Sequence, residues 1–186
     1  PEIKQGDGVL YSLFNVESDD FTLPTPTKPG YDFIGWGVGG TSDVYSTVTI
    51  TKGTVGNQSY TAKWKANGNT PYTVNIYYMD VNGQYKEVPD ITRTEAGETD
   101  TTATVPSSAY IKNGFSYDDA KSSDSGTITG DGKLQLSLYY ARNQYDIAFK
   151  SYDGSETLYS YKGYYGTEIT FQGNKPVIKD EDYIYT

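Results

Sequence analysis

The sequence predicts an all-β protein assembled from small modules in tandem, with little or no helix. Three observations lead there. Tyr supplies 20 of the 28 aromatic residues, beside 20 Gly and a single Met, a composition that favours strands and turns. Apolar and polar residues alternate in run after run with a period of two, and no window carries a capped 3.6-residue period. The chain also repeats itself: laying Tyr60-Thr-Ala-Lys-Trp-Lys-Ala-Asn67 over Leu136-Ser-Leu-Tyr-Tyr-Ala-Arg-Asn143 matches alternating strands at a spacing of 76, and the runs that follow, from Tyr72 and Tyr145, are 73 apart. A period near 75 divides the 186 residues into a unit at 1–68, a second at 70–142 and a shortened third at 143–186.

Within the first unit, alternation predicts strands at 10–16, 31–36, 48–51 and 59–65. Pro24, Pro26 and Pro29 hold the crossover before residue 31 extended, because Pro fixes its own φ and restricts the residue before it. In the second unit the strands fall at 72–80, 85–91, 101–105, 114–117, 126–129 and 134–140. Val81-Asn-Gly-Gln84 and Gly130-Asp-Gly132 supply residues that accept the positive φ of tight turns. The weak helical stretch 117–122 is too short to stand alone. The third unit reads as strands 145–152 and 157–162 around Asp153-Gly154. Tyr72, Val74, Ile76 and Tyr78 share one inward face, Leu134, Leu136, Leu138 and Tyr140 another, and Tyr145, Ile147 and Phe149 a third. Small units have little volume to bury, and large aromatic rings compensate by removing more area per residue.

Boundaries between units follow from punctuation. Asn67-Gly-Asn-Thr-Pro71 has the composition of a linker, whereas Arg142-Asn-Gln144 is so short that successive strands nearly abut. Pro1 in place of an initiating Met predicts a segment of a longer chain, with any targeting segment outside this sequence.

The absences narrow the function classes. Without Cys or His there is no thiol nucleophile, disulfide, Ser-His-Asp triad or His/Cys metal site, and the residues call for no cofactor. A net charge of −9, with Arg93 and Arg142 the only guanidinium groups, disfavours nucleic acid and anionic membrane surfaces as partners. No apolar run approaches the roughly 18 residues of a membrane span. Acidic, Cys-free, Tyr- and Thr-rich chains of this kind are common among surface proteins of Gram-positive bacteria.

Several motifs are better read as structure than as chemistry. Gly35-Trp-Gly-Val-Gly-Gly40 has dinucleotide-type spacing, but β-like residues follow it where a helix start is needed. The Asp80-Val-Asn-Gly and Asp118-to-Asp124 stretches lack the spacing and terminal Glu of a calcium loop. Asp180-Glu-Asp182 reads as a charged terminus, and Asn57-Gln-Ser59 as a chance glycosylation acceptor. No residue pattern marks a Lys–Asn isopeptide cross-link. Paired carboxylates, the remaining general acid and base, need a cleft that modules of this size seldom enclose.

The run Phe21-Thr-Leu-Pro-Thr-Pro-Thr-Lys-Pro-Gly-Tyr-Asp-Phe-Ile-Gly-Trp36, closed by Tyr60-Thr-Ala-Lys-Trp64, resembles the Listeria–Bacteroides repeat of internalin B type. The second unit, with Tyr72-Thr-Val-Asn-Ile-Tyr-Tyr78, Asn82-Gly83 and Leu138-Tyr-Tyr-Ala-Arg-Asn143, resembles mucin-binding-protein-like repeats. The third, with Tyr145-Asp-Ile-Ala-Phe149, Tyr152-Asp-Gly154 and Tyr164-Tyr-Gly-Thr167, resembles the opening half of another internalin B-type repeat. Residues 1–15 depart from the pattern in lacking an aromatic first strand, and the third unit lacks the Gly-Trp half.

The resemblance implies ubiquitin-like β-grasp units in an elongated tandem array. It places them on a secreted, cell-wall-attached bacterial adhesin, where neighbouring repeats act as a stalk or spacer without catalysis. Trp36 and Trp64 then belong to the core. Tyr159, Tyr161, Tyr164 and Tyr165, clustered around Lys162-Gly163, are the candidate ligand-binding residues of the alternative role, because Tyr faces stack on sugar rings and peptides of a host glycan, mucin or protein.

Overall fold

The computed structural model describes residues 15–173 in full and, of the flanking segments, the backbone of four short strands. Those flanking strands form two antiparallel pairs, β1 (Lys4–Gly6) with β2 (Val9–Tyr11) and, at the far end, Ile178–Asp180 with Tyr183–Tyr185. Between them run β3 (Phe21–Thr22), β4 (Tyr31–Val38), β5 (Val44–Tyr45), β6 (Thr49–Ile50), β7 (Tyr60–Ala66), β8 (Thr70–Tyr78) and β9 (Ile91–Gly97). The series continues with β10 (Thr102–Thr104), β11 (Phe115–Tyr117), β12 (Ser125–Thr127), β13 (Gln135–Arg142), β14 (Gln144–Lys150) and β15 (Thr157–Tyr164). The protein is all-β, and no helix occurs among the described residues. The expected strand at 10–16 lies partly outside the described residues, and Asn15 opens a turn closed by Ser18.

Contacts divide the chain into two compact units. The first comprises residues 1–73, 94–104 and 125–135. Its Trp-containing part is the three-stranded antiparallel sheet β5-β4-β7 with the short pair β3–β6. Trp36, Val48, Ile50 and Ala62 are buried there, and Phe21, Leu23, Phe33, Tyr60 and Trp64 pack against them.

Strict alternation would put Phe33 and Trp36 on opposite faces of β4, yet both turn inward. The ladder explains it. Phe33 pairs with Trp64 and Gly35 with Lys63, so Ile34 is an extra residue, a bulge half exposed to solvent. Gly35 has φ of +146°, and a Cβ there would lie 2.7 Å from the Tyr45 carbonyl oxygen. The Phe-x-Gly-Trp spacing thus encodes the bulge, and Phe33 meets both Trp36 and Trp64 edge-on at 5.4 and 5.5 Å. The same unit contains the antiparallel pair β10–β12, in which Ala103 is buried, as is Ile128 just beyond β12.

The second unit comprises residues 74–93, 105–124 and 136–186. Most residues of the sheet with the order β11-β13-β8-β9 belong to it. Val74, Ile76 and Tyr78 on β8 and Leu136, Leu138 and Tyr140 on β13 are buried, as the inward faces read from alternation require. Two amide bonds set the sense of these neighbours. Thr73 donates to Leu134 and Met79 to Tyr140, with the same offset of 61 residues, so β8 and β13 run parallel. β14 and β15 form a long antiparallel hairpin around Asp153-Gly154, as expected, with Gly154 at φ +73°.

One expected strand is absent. Residues 85–90 carry no ladder, and β9 starts only at Ile91 and continues to Gly97. Tyr85 turns aside to meet Tyr139 edge-on and donates its hydroxyl to Asp118 at 3.0 Å, Val88 is exposed, and Pro89 has no amide to offer a ladder.

Candidate functional site

The four tyrosines singled out by the sequence occupy three environments. Tyr159 and Tyr161 share one face of β15, where Tyr159 contacts Phe149, Tyr161 and Phe171 at 6.1, 5.6 and 5.8 Å between ring centres. The Tyr161 hydroxyl oxygen is buried and has no hydrogen-bond partner among the described residues. Tyr164 projects from the opposite face and lays its phenol against Gly83, where a Cβ would stand 2.6 Å from the hydroxyl oxygen. Tyr165 follows the strand and covers Gly114 with its ring while keeping 44% of its surface exposed.

Tyr165 belongs to a junction built from the single residue between β13 and β14. Lys112-Asn-Gly-Phe115 forms a turn in which the Phe115 amide donates to the Lys112 carbonyl at 3.1 Å and Gly114 adopts φ of +79°. The Gly114 carbonyl then accepts the Asn143 amide at 2.9 Å, and the Asn143 carbonyl accepts the Tyr165 amide at 2.8 Å. Ser116 donates its hydroxyl to the Asn143 side chain at 2.7 Å. Arg142 holds the arrangement from the side: its Nε donates to the Met79 carbonyl at 3.0 Å, its Nη1 to the Tyr165 carbonyl at 2.6 Å, and its guanidinium lies 4.8 Å from the Phe115 ring centre.

The first unit contains the same relay. Lys28-Pro-Gly-Tyr31 forms the turn, with the Tyr31 amide donating to Lys28 at 3.1 Å and Gly30 at φ +75°. The Gly30 carbonyl accepts the Asn67 amide at 2.9 Å, and the Asn67 carbonyl accepts the Thr99 amide at 3.0 Å. Here a hydroxyl takes the place of the Arg142 clamp. Thr99 is 1% exposed; its Oγ1 donates to the Gly30 carbonyl at 2.8 Å and lies 2.6 Å from the Thr70 hydroxyl. The Tyr31 hydroxyl donates to Asp100, the one described non-glycine residue with positive φ, and this bond raises the Tyr31 pKa. Gly130 closes over the turn so tightly that a Cβ would fall 2.2 Å from the Pro29 oxygen. A shallow cleft of about 220 Å³ opens beside this relay, lined by Asn67, Asn69, Thr70, Pro71 and Asp131.

The acidic turns satisfy themselves. Asp80 accepts the amides of Asn82 and Gln84 at 2.8 and 2.9 Å, which lowers its pKa. Asp124 accepts the Tyr117 hydroxyl at 3.0 Å. Among the described residues no three acidic side chains converge as a metal site would require. The Gly35-to-Gly40 run finishes β4 and enters a turn in which Thr41 donates to Val38.

Alternation alone points to one feature the sequence reading passed over. Tyr77 and Tyr139 lie between the inward residues of β8 and β13, and on the outer face they stack at 4.4 Å with 6° between planes. Burial is the largest influence on the Tyr77 and Tyr85 phenols and raises both pKa values, and Asp118 raises that of Tyr85 further. Comparison of the chain with protein-family models, curated proteins and solved structures returns no match.

Proposed function

We propose that this chain is a non-catalytic run of tandem β-grasp-like modules that acts as a spacer in an adhesin of the bacterial cell surface. One observation carries the reading: the relay Lys-x-Gly-aromatic to Asn to following loop occurs twice, at Gly30–Asn67–Thr99 and Gly114–Asn143–Tyr165. Conserving main-chain geometry while changing the side chains around it is what a reused module joint requires, and a catalytic site has no need of it. The parallel pairing of β8 and β13 supports a β-grasp-like module, in which first and last strands lie side by side. The acidic side chains that could do chemistry are instead acceptors for tyrosines and turn amides.

A second reading, a ligand-binding adhesin module, draws on the terminal hairpin. Tyr145 and Tyr165 are about half exposed there and Tyr152 at its tip is fully exposed. A binding screen of the purified chain against mucins, glycans and matrix proteins separates the two. The spacer reading expects no saturable binding. Saturable binding that disappears in a Tyr159→Ala/Tyr165→Ala variant overturns it in favour of the second. Antibody against the chain is expected to label intact source cells, and labelling only after lysis overturns the surface assignment.

A further inference from the structure

We infer that the first relay is a folding coupler: the Trp-containing part, residues 21–66, completes its own turn only with the Thr99 loop, so the two unfold together. The reason lies in where the polar groups end. The Gly30 carbonyl, which also accepts the Asn67 amide, takes a second bond from the Thr99 hydroxyl, and the Asn67 carbonyl accepts the Thr99 amide. Thr99 is 1% exposed and Thr70 4% exposed, and the bond between their hydroxyls is buried, so removing the Thr99 hydroxyl leaves the Thr70 hydroxyl to bear its desolvation cost without that partner.

The steric fit has the same direction. Gly30 and Gly130 approach so closely that a Cβ on Gly30 would lie 2.2 Å from the Gly130 Cα, which only two glycines allow. Asp100, one residue past Thr99, is held at φ +67° and receives the Tyr31 hydroxyl from the β4 strand. A side chain, a carbonyl and a glycine of the 28–31 turn therefore each depend on a residue at 99–130. A flexible linker between independent modules has no use for any of these contacts.

Both tryptophans of the chain, Trp36 and Trp64, lie in the part that would be coupled, so their emission reports its unfolding alone, while far-UV dichroism reports all strands. Denaturant titration of the whole chain is expected to give coincident transitions by the two probes. Thr99→Val keeps the volume and removes the hydroxyl; it is expected to pull the fluorescence midpoint below the dichroism midpoint and separate the two curves. Leu138→Ala, which lies outside the relay, is expected to destabilise the chain without separating them. A fluorescence transition already separate in the wild type, or unmoved by Thr99→Val, overturns the inference. Should Thr99→Val leave too little folded protein, Thr99→Ser, which keeps the hydroxyl, must restore coincidence, and failure to do so counts equally against it. A spacer role for the chain is untouched by either outcome, since spacers are built from independent modules as well.

Discussion

The ring of Tyr165 occupies the space a side chain on Gly114 would need: a Cβ built there lies 2.1 Å from Tyr165 Cδ1. Gly114 also stands at φ +79°, where other residues cost about 1–3 kcal/mol in backbone strain. Gly114→Val should therefore lower stability by more than that strain alone, because the ring must also leave. Gly154→Ala makes the control, since its φ is +73° and no atom lies within 4 Å of its added Cβ. The loss at Gly114 is expected to exceed the loss at Gly154 in denaturant midpoints, and equal losses would show that Tyr165 does not dock on the turn in solution.

Tyr140 is fully buried, with its hydroxyl donating to the Ser107 carbonyl at 3.0 Å and accepting the Tyr110 amide at 3.3 Å. Tyr140→Phe keeps the ring contacts to Tyr78 and Tyr117 and strands both main-chain groups. The expected cost is about 0.5–1.5 kcal/mol by chemical denaturation, the net worth of a typical hydrogen bond, since both bonds are only part-buried. A change near zero would mean that the 107–110 turn is solvated.

How far the sequence carried these conclusions depends on distance along the chain. Alternation in β8 and β13 was enough to name the inward faces, because a strand's period is local and Val74, Ile76, Leu136 and Leu138 all obey it. The alignment of Asn67 with Asn143 paired two residues that sit at the same point of the relay. The Gly30–Gly114 half stayed hidden because its spacing is 84 against 76 for the Asn pair, the difference lying in loops of unequal length. Nor could local pattern show that Tyr85 leaves the ladder, since its partners Tyr139 and Asp118 are more than 30 residues away. The Tyr159–Tyr165 cluster read as one patch because neighbours in sequence look adjacent, whereas strand geometry sends Tyr159 and Tyr164 to opposite faces.

Asp153 gives the terminal hairpin a defined acid dependence. Hydrogen bonds from the Ser151 hydroxyl first, then from the Ser155 hydroxyl and amide, pull its carboxyl down to about 2. A folded pKa below the unfolded one, near 3.9 for Asp, means that the turn is favoured above the unfolded value and loses that advantage as pH falls toward 2. Carboxyl chemical shifts followed by NMR should place the Asp153 midpoint about two units below that of a random-coil Asp. Asp153→Asn should abolish the pH dependence of the 151–156 amide shifts over that range, and a normal midpoint near 4 would refute the hydrogen-bonded turn.

Arg142 is the last test, because its two hydrogen bonds diverge. Nε reaches Met79 and Nη1 reaches Tyr165 from one planar group that also lies over Phe115. A Lys ammonium is a single point on a flexible stem and can serve one of these carbonyls at a time, without the stacking. Arg142→Lys keeps the net charge, so any change reports geometry and not electrostatics. The expected loss is about 1–2 kcal/mol, in line with hydrogen bonds from a charged donor that is partly solvated. Amide exchange should localise it: the Tyr165 and Asn143 amides are expected to exchange faster, while Asn67 and Thr99, which use no guanidinium, keep their protection. Equal acceleration at all four amides would mean that Arg142 supports the fold as a whole and not its own junction.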